Sequence, residues 1–230
     1  DNAKVYDVRH VVSRLVDGGT FFQVQPDFGP AIVCALAHLG GHPVAVVANQ
    51  PVVMAGSIDV DAADKAAHFI QVADAFHLPL VFLSDNPGVL AGSASEQQGI
   101  LRAGGRMFAA QGLATTIKLQ VTLRKAYGFG SMVMAMTGFA DQTLSAGFPG
   151  ATLGAMGARG SSRAVGATDD EAAAISAAEQ DAAYRSASSL GFDELIDPAE
   201  LRNALLRALR LGLHRRQAPA EPRSLSAIWP

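Results

Sequence analysis

Between Val44 and Met136 the chain alternates repeatedly between short apolar runs that end in turn formers and stretches of helical periodicity. That alternation constrains the fold more tightly than any other feature. Val44 to Ala48 (VAVVA) is a β-branched run closed by polar Asn49 and Gln50, and it reads as a buried strand. From Asp59 to Phe76, apolar residues at Ala63, Ala66, Ala67, Ile70, Ala73 and Phe76 recur at helical spacing. Asp59, Asp61 and Asp64 stand where a helix start favours acids. Leu78 to Leu83 (LPLVFL) is the next strand, stopped by the turn formers of Ser84 to Gly88 (SDNPG). Gln97 to Gln111 reads as a helix. Ile117, Leu119, Val121 and Leu123 then alternate with Lys118, Gln120 and Thr122 as in a strand with one apolar face. Strand, helix, strand, turn, helix, strand predicts an α/β domain of βαβ units with right-handed crossovers.

Beyond Gly157 the pattern changes. Asp169 to Leu190 predicts one long Ala-rich helix with an acidic start. Pro198 to Leu211 predicts a second helix, with Leu201, Ala204, Leu205, Ala208 and Leu211 in period and Gly212 closing it. The span 169–214 reads as C-terminal packing or oligomerisation helices, and 215–230, with its prolines, as a tail. At 230 residues, 49% of them hydrophobic, the chain is expected to form a single domain, 1–230, with a substantial core.

Charge narrows the partners. The net charge is −3, and basic residues stay dispersed as far as Arg215 and Arg216, so no phosphate-tracking surface for nucleic acid is expected. The sequence has no apolar run of about 18 residues and no basic-then-apolar leader, so no membrane association is expected, and a reducing cytoplasm fits. Cys34, the single cysteine, sits between Val33 and Ala35 and reads as a small buried hydrophobe.

The search for reactive side chains returns little. No serine lies in a G-x-S-x-G, since Ser131 follows Gly128-Phe129-Gly130 and precedes Met132. No C-x-x-C exists, and the one H-x-x-x-H, His38 to His42, is interrupted by Gly40-Gly41, so no metal site is expected. Asp85 and Glu96 are a possible carboxylate pair, yet Asp before Asn-Pro-Gly is also a turn-stabilising residue and Glu96 suits a helix start. Gly154 to Gly160 (GAMGARG) matches a phosphate cradle only loosely. Backbone chemistry is left. Where a strand runs into Gly128-Phe129-Gly130-Ser131 and a helix begins, the first helical N–H groups are free to meet an oxyanion. The same glycines are equally explained by a turn that needs positive φ.

Several blocks, in this order, then carry a resemblance: GGHPVAVVANQP, HLPLVFLSDNPGVLAG, LRKAYGFGSMVMA and GFPGATLGAMGARG. From about Tyr6 to Arg210 the chain resembles the C-terminal half of the carboxyltransferase (β) subunit of biotin-dependent acyl-CoA carboxylases, of the propionyl-CoA and acetyl-CoA type. The resemblance implies a crotonase-like ββα-spiral fold and transfer of CO₂ from carboxybiotin to the α-carbon of an acyl-CoA. It implies a backbone oxyanion hole facing biotin in the segment Ala126-Tyr127-Gly128-Phe129-Gly130, with Phe129 and Gly130 as donors. The turn Asp85-Asn86-Pro87-Gly88-Val89-Leu90-Ala91-Gly92 would shape the biotin pocket, and Ser131 and Met132 would line the substrate.

Biotin would arrive on a separate carrier, and the implied partners are an N-terminal CoA-binding carboxyltransferase half, absent from these residues, a biotin carboxylase and a biotin carboxyl carrier. Homo- or hetero-oligomers are the family habit. The sequence departs from the family pattern at Phe129, usually glycine, at Met132, usually aspartate in the propionyl type, at Ala103, usually histidine, and at Arg159, usually glutamate. A biotin-dependent decarboxylase and a catalytically silent assembly domain are the competing readings.

Overall fold

The computed structural model describes residues 4–136 and 142–215. In chain order the elements are α1 (Val8–Leu15), β1 (Phe22–Val24), β2 (Ile32–Leu39), β3 (His42–Asn49), α2 (Val60–Ala75), β4 (Leu80–Asn86), α3 (Ser93–Gln97) and α4 (Ile100–Leu113). They continue with β5 (Lys118–Tyr127), α5 (Gly128–Val133), β6 (Gln142–Gly147), β7 (Thr152–Gly154), α6 (Ala158–Val165), α7 (Asp169–Gln180), α8 (Ala182–Ser188), β8 (Glu194–Leu195) and α9 (Leu201–Arg215). The expected α/β alternation is present, in one sheet ordered β1-β2-β3-β4-β5-β6-β8, with β7 also paired to β5. From β3 to β8 the pairings are parallel, whereas β1, β2 and β3 are antiparallel.

The sheet is buried on both faces because each inner strand sends alternate side chains to different layers. In β3, Val44 and Val46 join a core with α1 and α9, where Val8, Val12, Leu201, Leu205 and Leu209 pack. Ala45 and Val47 join the opposite core beneath α2, α4 and α5, with Ala66, Ile70, Met107 and Val133. Helix α2 is started by Asp59, whose carboxylate accepts a hydrogen bond from the Ala62 N–H.

Four expectations change. The hairpin β2–β3 was not read from the sequence, although Gly40-Gly41, at φ +61° and +83°, supplies the two positive-φ positions that a tight antiparallel turn requires. The polar face of β5 is not solvated, since Lys118, Gln120 and Thr122 are fully buried. They are satisfied internally: Lys118 Nζ donates to the Gln111 carbonyl at 3.0 Å, and Gln120 Nε2 donates to Thr122 Oγ1 at 2.9 Å. The Ala-rich helix is two, α7 and α8, parted at Asp181. Gly212 lies inside α9 and lets that helix press on Ile117, where a Cβ would stand 3.1 Å from the Ile117 side chain. Residues 216–230 of the expected tail lie outside the described residues. Among the described residues, no helix is long and apolar enough to cross a membrane.

Candidate active site

Two chain reversals meet at the ends of β4 and β5. Strand β4 continues to Asn86, past the point where the turn formers predict its end, because Ser84, Asp85 and Asn86 all find buried partners. The Asp85 carboxylate is fully enclosed. Arg124 Nε lies 3.0 Å from its Oδ2 and Lys125 Nζ 2.8 Å from its Oδ1.

Successive residues of a regular strand point to opposite faces, so one carboxylate could not engage both cations. An irregularity in β5 solves this. Ser84 pairs Thr122 while Asn86 pairs Ala126, so β5 advances further than β4 and Arg124 and Lys125 swing to the same side. Tyr6 completes the cluster. Its hydroxyl bonds Asp85, the Arg124 guanidinium stacks 5.1 Å from its ring centroid, and burial followed by the Asp85 charge raises its phenol well above the ordinary range.

The first reversal is tied down along its length. Asn86 Oδ1 accepts the Gly88 N–H at 3.0 Å, and the Asn86 side-chain amide donates to Asn49 Oδ1 at 3.0 Å. The same Asn49 oxygen accepts the Asp85 N–H at 3.1 Å. Gly88, at φ +127°, offers its carbonyl to the Ile58 N–H at 3.1 Å, and Ile58 in turn accepts from the Leu90 N–H at 2.8 Å, which pairs Val89 with Ile58. Pro87 and Gly92 remain exposed, so one flank of this reversal is open to solvent.

The second reversal begins at Gly128, whose φ of +53° turns the chain from β5 into α5, and a Cβ there would stand 2.9 Å from the Ala155 carbonyl oxygen. Gly130 is where the two reversals touch. A Cβ on it would lie 2.2 Å from Asn86 Oδ1 and 2.7 Å from Gly88 Cα, so only glycine fits. Phe129, between them, directs its ring away from this contact. The ring packs with Phe108 at a centroid distance of 5.8 Å and lies over Gly104 of α4, where a Cβ would come within 2.9 Å of it. The N–H groups of Phe129 and Gly130 belong to the first turn of α5, where no carbonyl four residues back is in helical position. Ser131 turns its hydroxyl inward to the Gly128 carbonyl at 2.7 Å, and Met132 is partly exposed beside it. The Met132 carbonyl is held by the buried side-chain amide of Gln111 at 3.0 Å.

Tyr127 supplies the last restraint. Its hydroxyl donates to the Glu179 carboxylate at 2.6 Å and lies 2.8 Å from Thr152 Oγ1, and burial with the Glu179 contact raises its phenol above the ordinary range. Glu179 Oε1 also accepts the Ala158 N–H at 2.7 Å. The start of α6, inside the loose phosphate-cradle match, is therefore occupied by a carboxylate of the chain itself.

The structure thus gathers Asp85, Gly88, Tyr127, Gly128, Phe129, Gly130, Ser131 and Met132 at one locus, with Pro87, Val89 and Gly92 on its rim. It does not make a working carboxylate pair of Asp85 and Glu96. Asp85 is consumed by Arg124 and Lys125, while Glu96 is exposed in α3. Sequence reasoning missed Asn49 and Glu179, which act on this locus from a strand end and a helix distant in sequence, and it placed Asn86 in the turn without the hydrogen bonds that give it its role. Among the described residues no cluster of three or more His, Cys, Asp or Glu is placed to hold a metal. The locus offers oriented amides and glycines, with its charges neutralised beneath the surface.

The model of the carboxyl transferase domain matches residues 1–225. The chain belongs to the carboxyl transferase domain family. This carboxyl transferase domain is 36% identical over 228 residues to the methylmalonyl-CoA carboxyltransferase 12S subunit of Propionibacterium freudenreichii subsp. shermanii, covering 94% of the chain and 43% of that protein. It is also 36% identical over 222 residues to the methylmalonyl-CoA decarboxylase subunit alpha of Veillonella parvula, again with 94% and 43% covered. The crystal structure of the transcarboxylase 12S hexamer superposes with a TM-score of 0.86 at 35% identity, over 98% of this chain and 44% of that one. The fold is accordingly the crotonase-like one of the carboxyltransferases. The chain spans less than half the length of the curated relatives it matches.

Proposed function

We propose that this carboxyl transferase domain forms the biotin side of a biotin-dependent acyl-CoA carboxyltransferase, working with an N-terminal CoA-binding half on the same or another chain. The observation that carries the reading is the Gly128–Gly130 reversal, where free first-turn N–H groups are fixed against a second turn and no acid or base stands among them. Biotin would react at a ureido nitrogen, and the negative charge that develops would fall on the adjoining ureido oxygen, which aligned N–H donors can stabilise without a charged side chain. When bound, carboxybiotin supplies the CO₂, and its freed ureido nitrogen supplies the base for the acyl α-proton.

The chain's own residues then have separable tasks. Phe129 and Gly130 donate backbone N–H groups to the ureido oxygen, and Gly128 gives the chain the positive φ that presents them. The turn from Asp85 to Gly92, with Pro87, Gly88 and Val89, forms the adjoining wall. Asp85 acts from beneath, since its carboxylate is spent on Arg124 and Lys125. The reading gives the acyl end to partly exposed Met132 and to Ser131 beside it, whose hydroxyl is turned inward onto the Gly128 carbonyl. A carrier-borne biotin, a biotin carboxylase and oligomeric assembly belong to the same reading, supported by the 12S relative's description as a hexameric multienzyme core.

The test is a carboxyl-transfer assay with the N-terminal half restored, a biotinylated carrier and a panel of acyl-CoAs. Product in the wild type and its loss in Gly130→Pro are expected, whereas a folded Gly130→Pro with full activity overturns the role given to this turn. The identity with a decarboxylase subunit favours a second reading, in which the same donors serve the opposite direction. CO₂ release from a malonyl- or methylmalonyl-CoA, without net carboxylation of any acyl-CoA, would select it.

A further inference from the structure

Asn49 closes β3, is fully buried, and lies in neither of the turns assigned to ligand binding. Its Oδ1 nevertheless receives two donors from the first turn, the Asp85 N–H at 3.1 Å and the Asn86 side-chain amide at 3.0 Å. The second of these fixes the rotation of Asn86. With its amide nitrogen on Asn49, the Asn86 Oδ1 must face the other way, where it accepts the Gly88 N–H at 3.0 Å and abuts Gly130. One side-chain oxygen on β3 therefore sets Asn86, and Asn86 sets both the bend at Gly88 and the closest approach of the Gly130 backbone. The floor beneath this arrangement is equally tight. Gly56 approaches from the other side, and a Cβ on it would lie 2.3 Å from the Asp85 carbonyl oxygen.

We infer that Asn49 is a positioning residue for the biotin-side turns, acting through Asn86 to hold the Gly88 bend and the Gly130 amide in register. The inference rests on the carboxyltransferase reading for its effect on rate, but not for its effect on the turns. Asn49 touches no reacting atom. Its contribution is orientation, and small displacements of donors around a reacting group are costly in rate.

The experiment uses the assembled enzyme with Asn49→Ala, Asn49→Asp and Asn86→Ala, and a melting curve for each. Asn49→Asp keeps an oxygen able to accept both bonds and exchanges Nδ2, which has no hydrogen-bond partner, for a second carboxyl oxygen, a buried ionisable group whose cost the melting curve reads separately. Asn49→Ala should lower kcat for carboxyl transfer roughly tenfold to a hundredfold, with KM for the acyl-CoA within about twofold of wild type. Asn49→Asp should recover most of that loss. Asn49→Ala and Asn86→Ala should be non-additive, as expected of residues acting as one unit. In parallel, hydrogen exchange at the Asp85 amide should quicken in Asn49→Ala and not in Asn49→Asp.

A folded Asn49→Ala with wild-type kcat overturns the inference. So does equal damage by Asn49→Ala and Asn49→Asp that merely follows their melting temperatures. If the wild-type assembly transfers no carboxyl group, the proposed function fails, and the exchange measurement alone decides: unchanged protection at Asp85 in Asn49→Ala then refutes the positioning role.

Discussion

The paired turns and the α6–α8 layer lie side by side but are built on different terms. At the turns, the buried Asp85 is bound by two cations, Asn86 by one hydrogen bond to the Asn49 side chain and one from the Gly88 N–H, and Gly130 by contacts that exclude even a methyl group. Helices α6 and α7, by contrast, bury no residue at all, and the link from α7 to the strand end runs through the Glu179 carboxylate. The contrast teaches that rigidity here is local. Restraint is concentrated at the two reversals, and α6 and α7 are tied to them through the Glu179 carboxylate.

The sharpest way to break the comparison is Gly130→Ala. Its Cβ meets Asn86 Oδ1 and Gly88 Cα, so the two turns must separate, and transfer should fall by about 10²-fold or more, the scale of losing an oxyanion donor. Single-turnover kinetics with a carboxylated carrier would measure it. Lys125→Met comes next. It leaves the enclosed Asp85 with one cation fewer and should destabilise the fold by about 3–5 kcal/mol in denaturant melts.

Gly104→Ala should cost about 1–3 kcal/mol by driving a methyl into the Phe129 ring, and adding Phe129→Ala should remove most of that cost. On the proposed backbone-donor role of Phe129, Phe129→Ala alone should spare kcat. In the helical layer, Glu179→Ala should free α6 and α7 to exchange faster while global stability falls by only about 1 kcal/mol. Exchange as fast at the Gly128–Ser131 amides would show that the two regions are not separable. The smallest effect concerns Cys34. Burial pushes its thiol from 9.0 to about 12, so a thiol reagent at pH 8 should modify only unfolded molecules. The native state holds this proton more tightly than the unfolded chain, so its contribution to stability is complete below pH 9.0 and lost as pH rises towards about 12.

How far the sequence disclosed this depended on whether the signal was local. Strands β3 and β4 and helix α2 were legible because apolar periodicity and the Asp59 cap are written in consecutive residues. The β2–β3 hairpin was overlooked although Gly40-Gly41 announced it. The polar alternation in β5 suggested a wet face because periodicity reports polarity, and a buried polar layer has the same pattern as a solvated one. At the site, the glycines and Asp85 drew attention by type. Asn49 and Glu179 carried no local mark, since a strand-end amide and a helical glutamate gain their meaning only from what the fold brings opposite them. The pairing of Arg124 and Lys125 on one carboxylate depends on a strand irregularity that no two-residue period can express.

The contact between Phe129 and Gly104 also bears on the order in which substitutions can accumulate. With an aromatic ring at position 129 already in place, a methyl at 104 forces the ring to shift, and with a side chain already at 104 an incoming ring meets the same crowding. The least costly path between a glycine and a phenylalanine at position 129 therefore passes through a state in which both positions are small. Position 104 acts as a permissive gate, opened before the aromatic enters and held open as long as it stays.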